Sequence, residues 1–198
     1  KMNGKVHILD IGCGKGGHGY RLKGYLEKNF GSYTGLDLYK DTRFPEEFSH
    51  VEDKAENVSL YLSDQVNFVT SQSALEHIEN DLKVLKAATE ILEEKKKPFI
   101  QIHLVPASLT LWTYLWHGWR QYSRKNLGAI SLELEKLSGI SVMAIPLGGL
   151  RSHYAHFFTI TITTIFQKLL KIKREDQWSK PDTSTSRKIK KVVLSERN

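Results

Sequence analysis

The stretch Gly12-Cys13-Gly14-Lys15-Gly16-Gly17 constrains this chain more than any other. It follows the apolar run Val6 to Ile11 (VHILDI) and precedes a segment in which Leu22 and Leu26 stand four apart. An apolar run that opens into clustered glycines predicts a buried strand turning tightly into a helix. Glycines admit turns closed to other residues and let the backbone approach a ligand. The helix start adds unbonded N–H groups. Gly12, Gly14 and Gly17 also match the spacing of a dinucleotide-binding loop, and Asp37 stands twenty residues after Gly17. Asp37 lies in the next apolar run, Tyr33 to Leu38, where a strand-end carboxylate can accept both hydroxyls of a ribose. The alternative is a tight turn beside a solvated Asp.

The rest of the chain continues the alternation. The first helix is expected over Gly17 to Asn29, stopped by Gly31. Residues 41–64 are poorly patterned and read as a short helix, a weak third strand and loops. Val66 to Ser71 reads as a strand, and Ala74 to Lys97 as a helix with Ile78, Leu82, Leu85 and Leu92 on its apolar stripe. Pro98 ends that helix, and Phe99 to Val105 reads as a strand. Strands alternating with helices predict an α/β fold, a Rossmann-like doubly wound, mostly parallel sheet with helices on both faces. Residues 107–127 break the pattern and hold three of the four tryptophans. Leu132 to Gly139 is expected as a helix and Ile140 to Pro146 as a strand. Tyr154 to Leu170 fits either a strand or a helix. The domain is expected over 1–167, with 168–198 as a basic tail.

On LDIGCGKG, residues 9–16, the chain resembles the class I methyltransferases that use S-adenosylmethionine, in a subgroup like methyltransferase type 11. The resemblance implies that Asp10, Gly12, Gly14 and Gly16 form the cofactor loop. It implies Asp37, followed by Leu38, at the ribose, and Asp53 in EDKAEN near the adenine. VTSQSALEHI, residues 69–78, resembles the fourth strand and following turn of that subgroup, which brings in Ser71 at the cofactor and His77 at the substrate. The subgroup usually has Asp where Asn67 stands. The similarity covers residues 6–105. An acid at Asp10 fits a cofactor with a cationic amino-acid portion, whereas dinucleotide enzymes usually carry an apolar residue there.

Methyl transfer is an in-line displacement, so the protein mainly aligns the nucleophile and excludes water. A hydroxyl or amine acceptor also loses a proton, and a nearby base contributes roughly 10²–10⁴-fold. Candidates should follow the strand ends. The densest group is Trp116-His117-Gly118-Trp119-Arg120-Gln121-Tyr122. His117 is the candidate base. Trp116, Arg120 and Tyr122 are candidate acceptor contacts, because flat aromatic faces suit sugars and a guanidinium suits phosphate or carboxylate. HGWRQYS also resembles a segment of methyltransferases of surface-glycan biosynthesis. The competing reading is a packed cover with Arg120 paired at the surface. No metal site is expected, since His153 and His156 have no evident third ligand.

Charge and cysteine content narrow the function classes. The net charge of the 198 residues is +7, but residues 168–198 alone carry ten basic and four acidic side chains. The body is nearly neutral and does not read as a nucleic-acid-binding module. The tail is a solvated end or a contact for an anionic membrane surface, where each Lys or Arg contributes about 1 kcal/mol. The single cysteine, Cys13, excludes a disulfide framework and fits a cytoplasmic protein. No apolar run is long enough to span a bilayer, and Lys1 to Lys5 is too short and polar for a signal peptide. The expected activity is therefore methyl transfer to a small-molecule or glycan-pathway acceptor. The alternatives are an RNA or protein methyltransferase anchored by the tail, or a non-catalytic cofactor-binding subunit.

Overall fold

The computed structural model describes residues 4–107, 120–137 and 139–149, together with Arg151 and Tyr154. The chain divides into two units, Lys1–Ser108 with Trp116–Val142 and Leu109–Leu115 with Met143–Asn198. All elements named below belong to the first. In the second, residues 143–149 form no helix or strand. Trp116 and His117, the stretch 155–170 and the tail from 168 lie outside the described residues.

Five strands form one parallel sheet: β1 (Val6–Ile11), β2 (Phe30–Asp37), β3 (Ser49–Glu52), β4 (Phe68–Gln72) and β5 (Ile100–Leu104), in the order β3-β2-β1-β4-β5. β1 is central, with Ile8 opposite Tyr33 and Phe68 and Asp10 opposite Gly35 and Thr70. A strand covered on both faces has no polar side to alternate, which is why VHILDI reads as a continuous apolar run. On one face Leu9, Ile11 and Val69 meet Val84, Ala88 and Leu92 of α2 (Asp81–Glu94), with Val58 from the 3₁₀ helix Ala55–Tyr61. On the other, Ile8, Tyr33 and Phe68 pack with Phe44, Phe48 and the half-buried Leu22 and Leu26 of α1 (Gly17–Leu26). Each fully buried aliphatic side chain contributes roughly 1.5–3 kcal/mol. The expected doubly wound fold is present, and all five described strands are parallel.

Boundaries differ where local contacts override the pattern. α1 stops at Leu26, a 3₁₀ turn takes Glu27–Asn29, and β2 begins at Phe30 rather than Tyr33. α2 begins at Asp81 rather than Ala74, because Leu75–His77 forms a separate 3₁₀ turn. Its buried stripe is Val84, Leu85, Ala88, Thr89 and Leu92. α3 (Arg124–Glu135) starts eight residues before the expected Leu132 and ends before Gly139. Ser123 caps it, its Oγ accepting the Asn126 N–H at 3.1 Å. The strand expected over Ile140 to Pro146 is absent: residues 140–146 form none. The Val142 N–H is donated to Glu135 Oε1 at 3.3 Å instead of to a ladder, and its side chain packs beside Leu75, Leu85, Tyr122 and Leu134.

Candidate functional site

Strand order reverses between β1 and β4, since β2 and β3 extend to one side of β1 and β4 and β5 to the other. In such sheets the ligand crevice opens at the carboxyl ends of the two strands flanking the reversal. The glycine loop leaves β1 there. The Gly12 N–H is donated to Leu36 O at 2.7 Å, and Gly12 sits at φ +71°. A Cβ on Gly12 would stand 2.3 Å from the Ala74 Cβ, so the turn after β4 rests directly on the loop. Gly14 is different. At φ +51°, a Cβ on it would meet nothing within 4 Å. Its missing side chain leaves open space above the loop. Gly16 caps α1 in the left-handed conformation with no side-chain hydrogen bond. Lys15 and Gly17 are exposed, and the α1 start carries the partial positive charge of a helix N-terminus.

Asp37 closes β2 facing this loop. Its Oδ2 accepts the Gly14 N–H and its Oδ1 the Leu38 N–H, both at 2.8 Å. Two fixed donors orient the carboxylate, and each oxygen keeps a lone pair for a hydroxyl. Leu38 is 55% exposed, an apolar surface beside the acid. Asp53 follows β3, and its N–H is donated to Asp37 O at 3.0 Å. Its carboxylate is taken up by the Asn57 amide at 2.9 Å, the Tyr61 hydroxyl at 2.6 Å and the Lys54 N–H at 2.7 Å. Those bonds hold it below the usual carboxylate range. Asp53 thus sits beside Asp37 while its carboxylate is tied to side chains of the 3₁₀ helix Ala55–Tyr61.

Asp10 lies beneath the loop, 1% exposed. The Tyr33 hydroxyl donates to Asp10 Oδ2, and Oδ1 has no partner among the described residues. Burial pushes this carboxyl up to about 7; the Tyr33 bond opposes the shift and the Asp37 charge adds to it. Cys13 packs against Gly35, and burial pushes its thiol up to about 12.

The β4–β5 side carries two further groups. Ser71 is fully buried, and its hydroxyl meets His103 Nδ1 at 2.8 Å. The Gln101 amide donates to Thr89 Oγ1 at 2.8 Å, which turns the Gln101 carbonyl toward His103 Nε2 at 3.2 Å. Nε2 therefore carries the proton and Nδ1 accepts from Ser71. Burial pushes the His103 ring down to about 4 and keeps it neutral. Arg120 and Tyr122 converge on Asp81, at the start of α2. Arg120 pairs with Asp81 Oδ1 at 2.6 Å and also donates to Glu79 O, and the Tyr122 hydroxyl donates to Asp81 Oδ2 at 2.5 Å. His77 lies on the exposed side of the turn Leu75–His77, and Glu76 of the same turn is 1% exposed.

The structure thus brings Asp10, Gly12, Gly14, Gly16, Asp37, Leu38 and Asp53 together at the carboxyl ends of β1, β2 and β3. It ties Arg120 and Tyr122 to α2 and Ser71 to β5. Sequence reasoning passed over Tyr33 and Glu76. Their signal was weak: a tyrosine in an otherwise ordinary strand, and an acid set between Leu75 and Ile78. Among the described residues no group of three or more His, Cys, Asp or Glu is placed to hold a metal. None of the described helices is long and apolar enough to cross a membrane. The open side of Gly14, the spare lone pairs of Asp37 and the unpartnered Asp10 oxygen fit an adenosyl cofactor carrying an ammonium group.

A family model described as a methyltransferase domain matches residues 3–133. No curated protein matches the chain. Among solved structures, the plantazolicin methyltransferase BamL, determined with a triazolic desmethylPZN analog and SAH, is similar at a TM-score of 0.56 and 15% identity, over 96% of this chain and 70% of that one. Haemonchus contortus phosphoethanolamine N-methyltransferase 2, determined with S-adenosyl-L-methionine, gives a TM-score of 0.55 at 14% identity, over 100% of this chain and 46% of that one. A SAM-dependent methyltransferase from Archaeoglobus fulgidus gives 0.50 at 18% identity, over 85% of this chain and 81% of that one. At these identities the structures speak for the fold, and the family model speaks for the chain: it belongs to the methyltransferase-domain family, as an S-adenosylmethionine-dependent enzyme of the class I fold.

Proposed function

We propose that this enzyme methylates a small-molecule or glycan-pathway acceptor. The observation that carries the reading is the closure of the aromatic segment at its base. Ala107 and Tyr122 form a bridge, and the Tyr122 N–H is donated to Pro106 O at 3.0 Å. Ala107 and Tyr122 thus stand together just beyond the carboxyl end of β5, the end at which a parallel sheet binds its ligand. The sequence between them carries Trp112, Trp116, His117 and Trp119. Aromatic faces beside a polar base suit a sugar or another small polar acceptor better than a nucleic-acid backbone.

The cofactor supplies the activated methyl group, and the residues divide the remaining work. Asp37 orients the ribose. Asp10 and the α1 start hold the amino-acid portion, and Gly14 leaves room for both. His117 takes the proton of an O–H or N–H acceptor. The test is incubation of the protein with methyl-labelled S-adenosylmethionine and separated fractions of a cell extract. Label should enter the small-molecule or glycan fraction. Label in RNA or protein, or in no fraction despite cofactor binding, refutes the acceptor class. On the labelled acceptor, His117→Ala should lower turnover at least about tenfold, roughly 1.4 kcal/mol of barrier, with cofactor affinity unchanged.

A further inference from the structure

Glu76 is a buried carboxyl that this division of labour leaves unused. It is 1% exposed, and its Oε2 has no hydrogen-bond partner among the described residues. It belongs to the turn Leu75–His77, which follows β4 after Ser73 and Ala74. That turn is seated on the glycine loop through the Ala74–Gly12 contact. Arg120, a cation near this turn, is already paired with Asp81. Asp10, on β1, also leaves one oxygen without a partner among the described residues, and the donor on its other oxygen is the neutral Tyr33 hydroxyl. Buried carboxylates without a countercharge are costly, and a cationic ligand offsets that cost.

The order β2-β1-β4 fixes where a cation would come. With the ribose at Asp37, on the end of β2, a ligand that crossed β1 toward β4 would carry its sulfur toward the turn that holds Glu76, which rests on Gly12 through Ala74. We propose that Glu76 is a specificity-determining residue that distinguishes the sulfonium of S-adenosylmethionine from the thioether of S-adenosylhomocysteine. The inference rests on the cofactor assignment above. The two ligands share adenine, ribose and amino-acid portion, so Asp37, the glycine loop and Asp10 meet the same groups in both. They differ in one methyl group and in the charge on sulfur. Methyl transfer breaks the carbon–sulfur bond and leaves its electron pair on sulfur, so the product is neutral there. A carboxylate beside the sulfur therefore favours the substrate form and weakens retention of the product.

The experiment is titration calorimetry of the full chain with S-adenosylmethionine and, separately, S-adenosylhomocysteine. Glu76→Gln keeps the shape and removes the charge. It should weaken S-adenosylmethionine about tenfold and change S-adenosylhomocysteine less than twofold. Equal losses for both ligands, or no change for either, overturn the proposal. If Glu76→Gln does not fold by circular dichroism, Glu76→Asp is titrated instead. It keeps the charge and withdraws it by one methylene, and it should give a smaller change in the same ratio; an unaltered ratio overturns the proposal. Failure of the wild-type chain to bind either ligand overturns the cofactor assignment instead, which keeps the two failures distinct.

Discussion

Asp37 does two jobs with one carboxylate: it fastens the glycine loop through the Gly14 N–H and presents its remaining lone pairs to the crevice. Removing it should separate those jobs. Asp37→Ala frees the N–H groups of Gly14 and Leu38, but Gly14 and Leu38 are exposed and water replaces the lost acceptor. The fold should survive, with the melting temperature shifted by a few degrees at most. Cofactor affinity should fall about 10- to 100-fold, since charge-assisted hydrogen bonds each contribute roughly 1.5–3 kcal/mol. Calorimetry and thermal melting on the one variant check both halves, and unchanged affinity would refute the ribose assignment. Asp37 and the glycines were legible in the sequence because their role is written locally, in a strand end and a loop. Tyr33 was not: its bond to Asp10 depends on the register that sets Ile8 opposite Tyr33, and no local pattern records a register. Nor was the burial of Glu76, which follows from the turn settling on Gly12.

At the scale of elements, β1, β4 and β5 were legible from their apolar runs, and α1 from its glycine-bounded start. The buried face of α1 was harder to read. Its central contact is Gly19, where a Cβ would stand 2.7 Å from the Phe48 ring. The bulk comes from the loop, since Phe48 packs on Tyr33 with ring centroids 4.9 Å apart. A helix that buries a glycine against a loop aromatic carries little periodic signal. The α2 start was misplaced for a related reason: LEHI continues the helical pattern, while the chain spends it on a 3₁₀ turn. What anchors that start is Asp81, held by Arg120 and Tyr122 from the far side of the aromatic segment. Arg120→Ala leaves a carboxylate only 1% exposed without its cation. It should destabilise the protein by about 1–3 kcal/mol, below the cost of breaking a fully buried pair because the Arg120 side chain is 36% exposed. Cofactor affinity should stay within twofold. Denaturant unfolding gives the first number and calorimetry the second. A variant as stable as the wild type would show that Arg120 does not hold α2.

At the scale of the whole molecule, stability against pH sums groups that pull in opposite directions. Asp10 is raised from 3.8 to about 7 by burial, so between those values the folded state holds a proton that the unfolded state has lost. Its contribution to stability is therefore full below about pH 4 and is lost as pH rises toward 7. His103 is lowered from 6.5 to about 4, also by burial, so the unfolded state holds the extra proton over nearly the same range. Its contribution rises with pH from about 4 to 6.5, and the lowered rings of His18 and His50 add to that rise. Each pKa unit of difference between the two states is worth about 1.4 kcal/mol, so the opposing slopes largely cancel and the wild-type profile should be shallow. Single variants expose the components. Asp10→Asn should turn the profile into one that rises from pH 4 to 6.5, and His103→Gln into one that falls from pH 4 to 7. The same ionisation ties the fold to the ligand, because a cationic amino-acid portion favours the charged form of Asp10. S-adenosylmethionine should therefore stabilise the wild type more at pH 7.5 than at pH 5.5, and that difference should shrink in Asp10→Asn. Urea unfolding of the three proteins between pH 4 and 7.5, with and without cofactor, measures every term, and parallel profiles for wild type and Asp10→Asn would show that Asp10 does not titrate in this range.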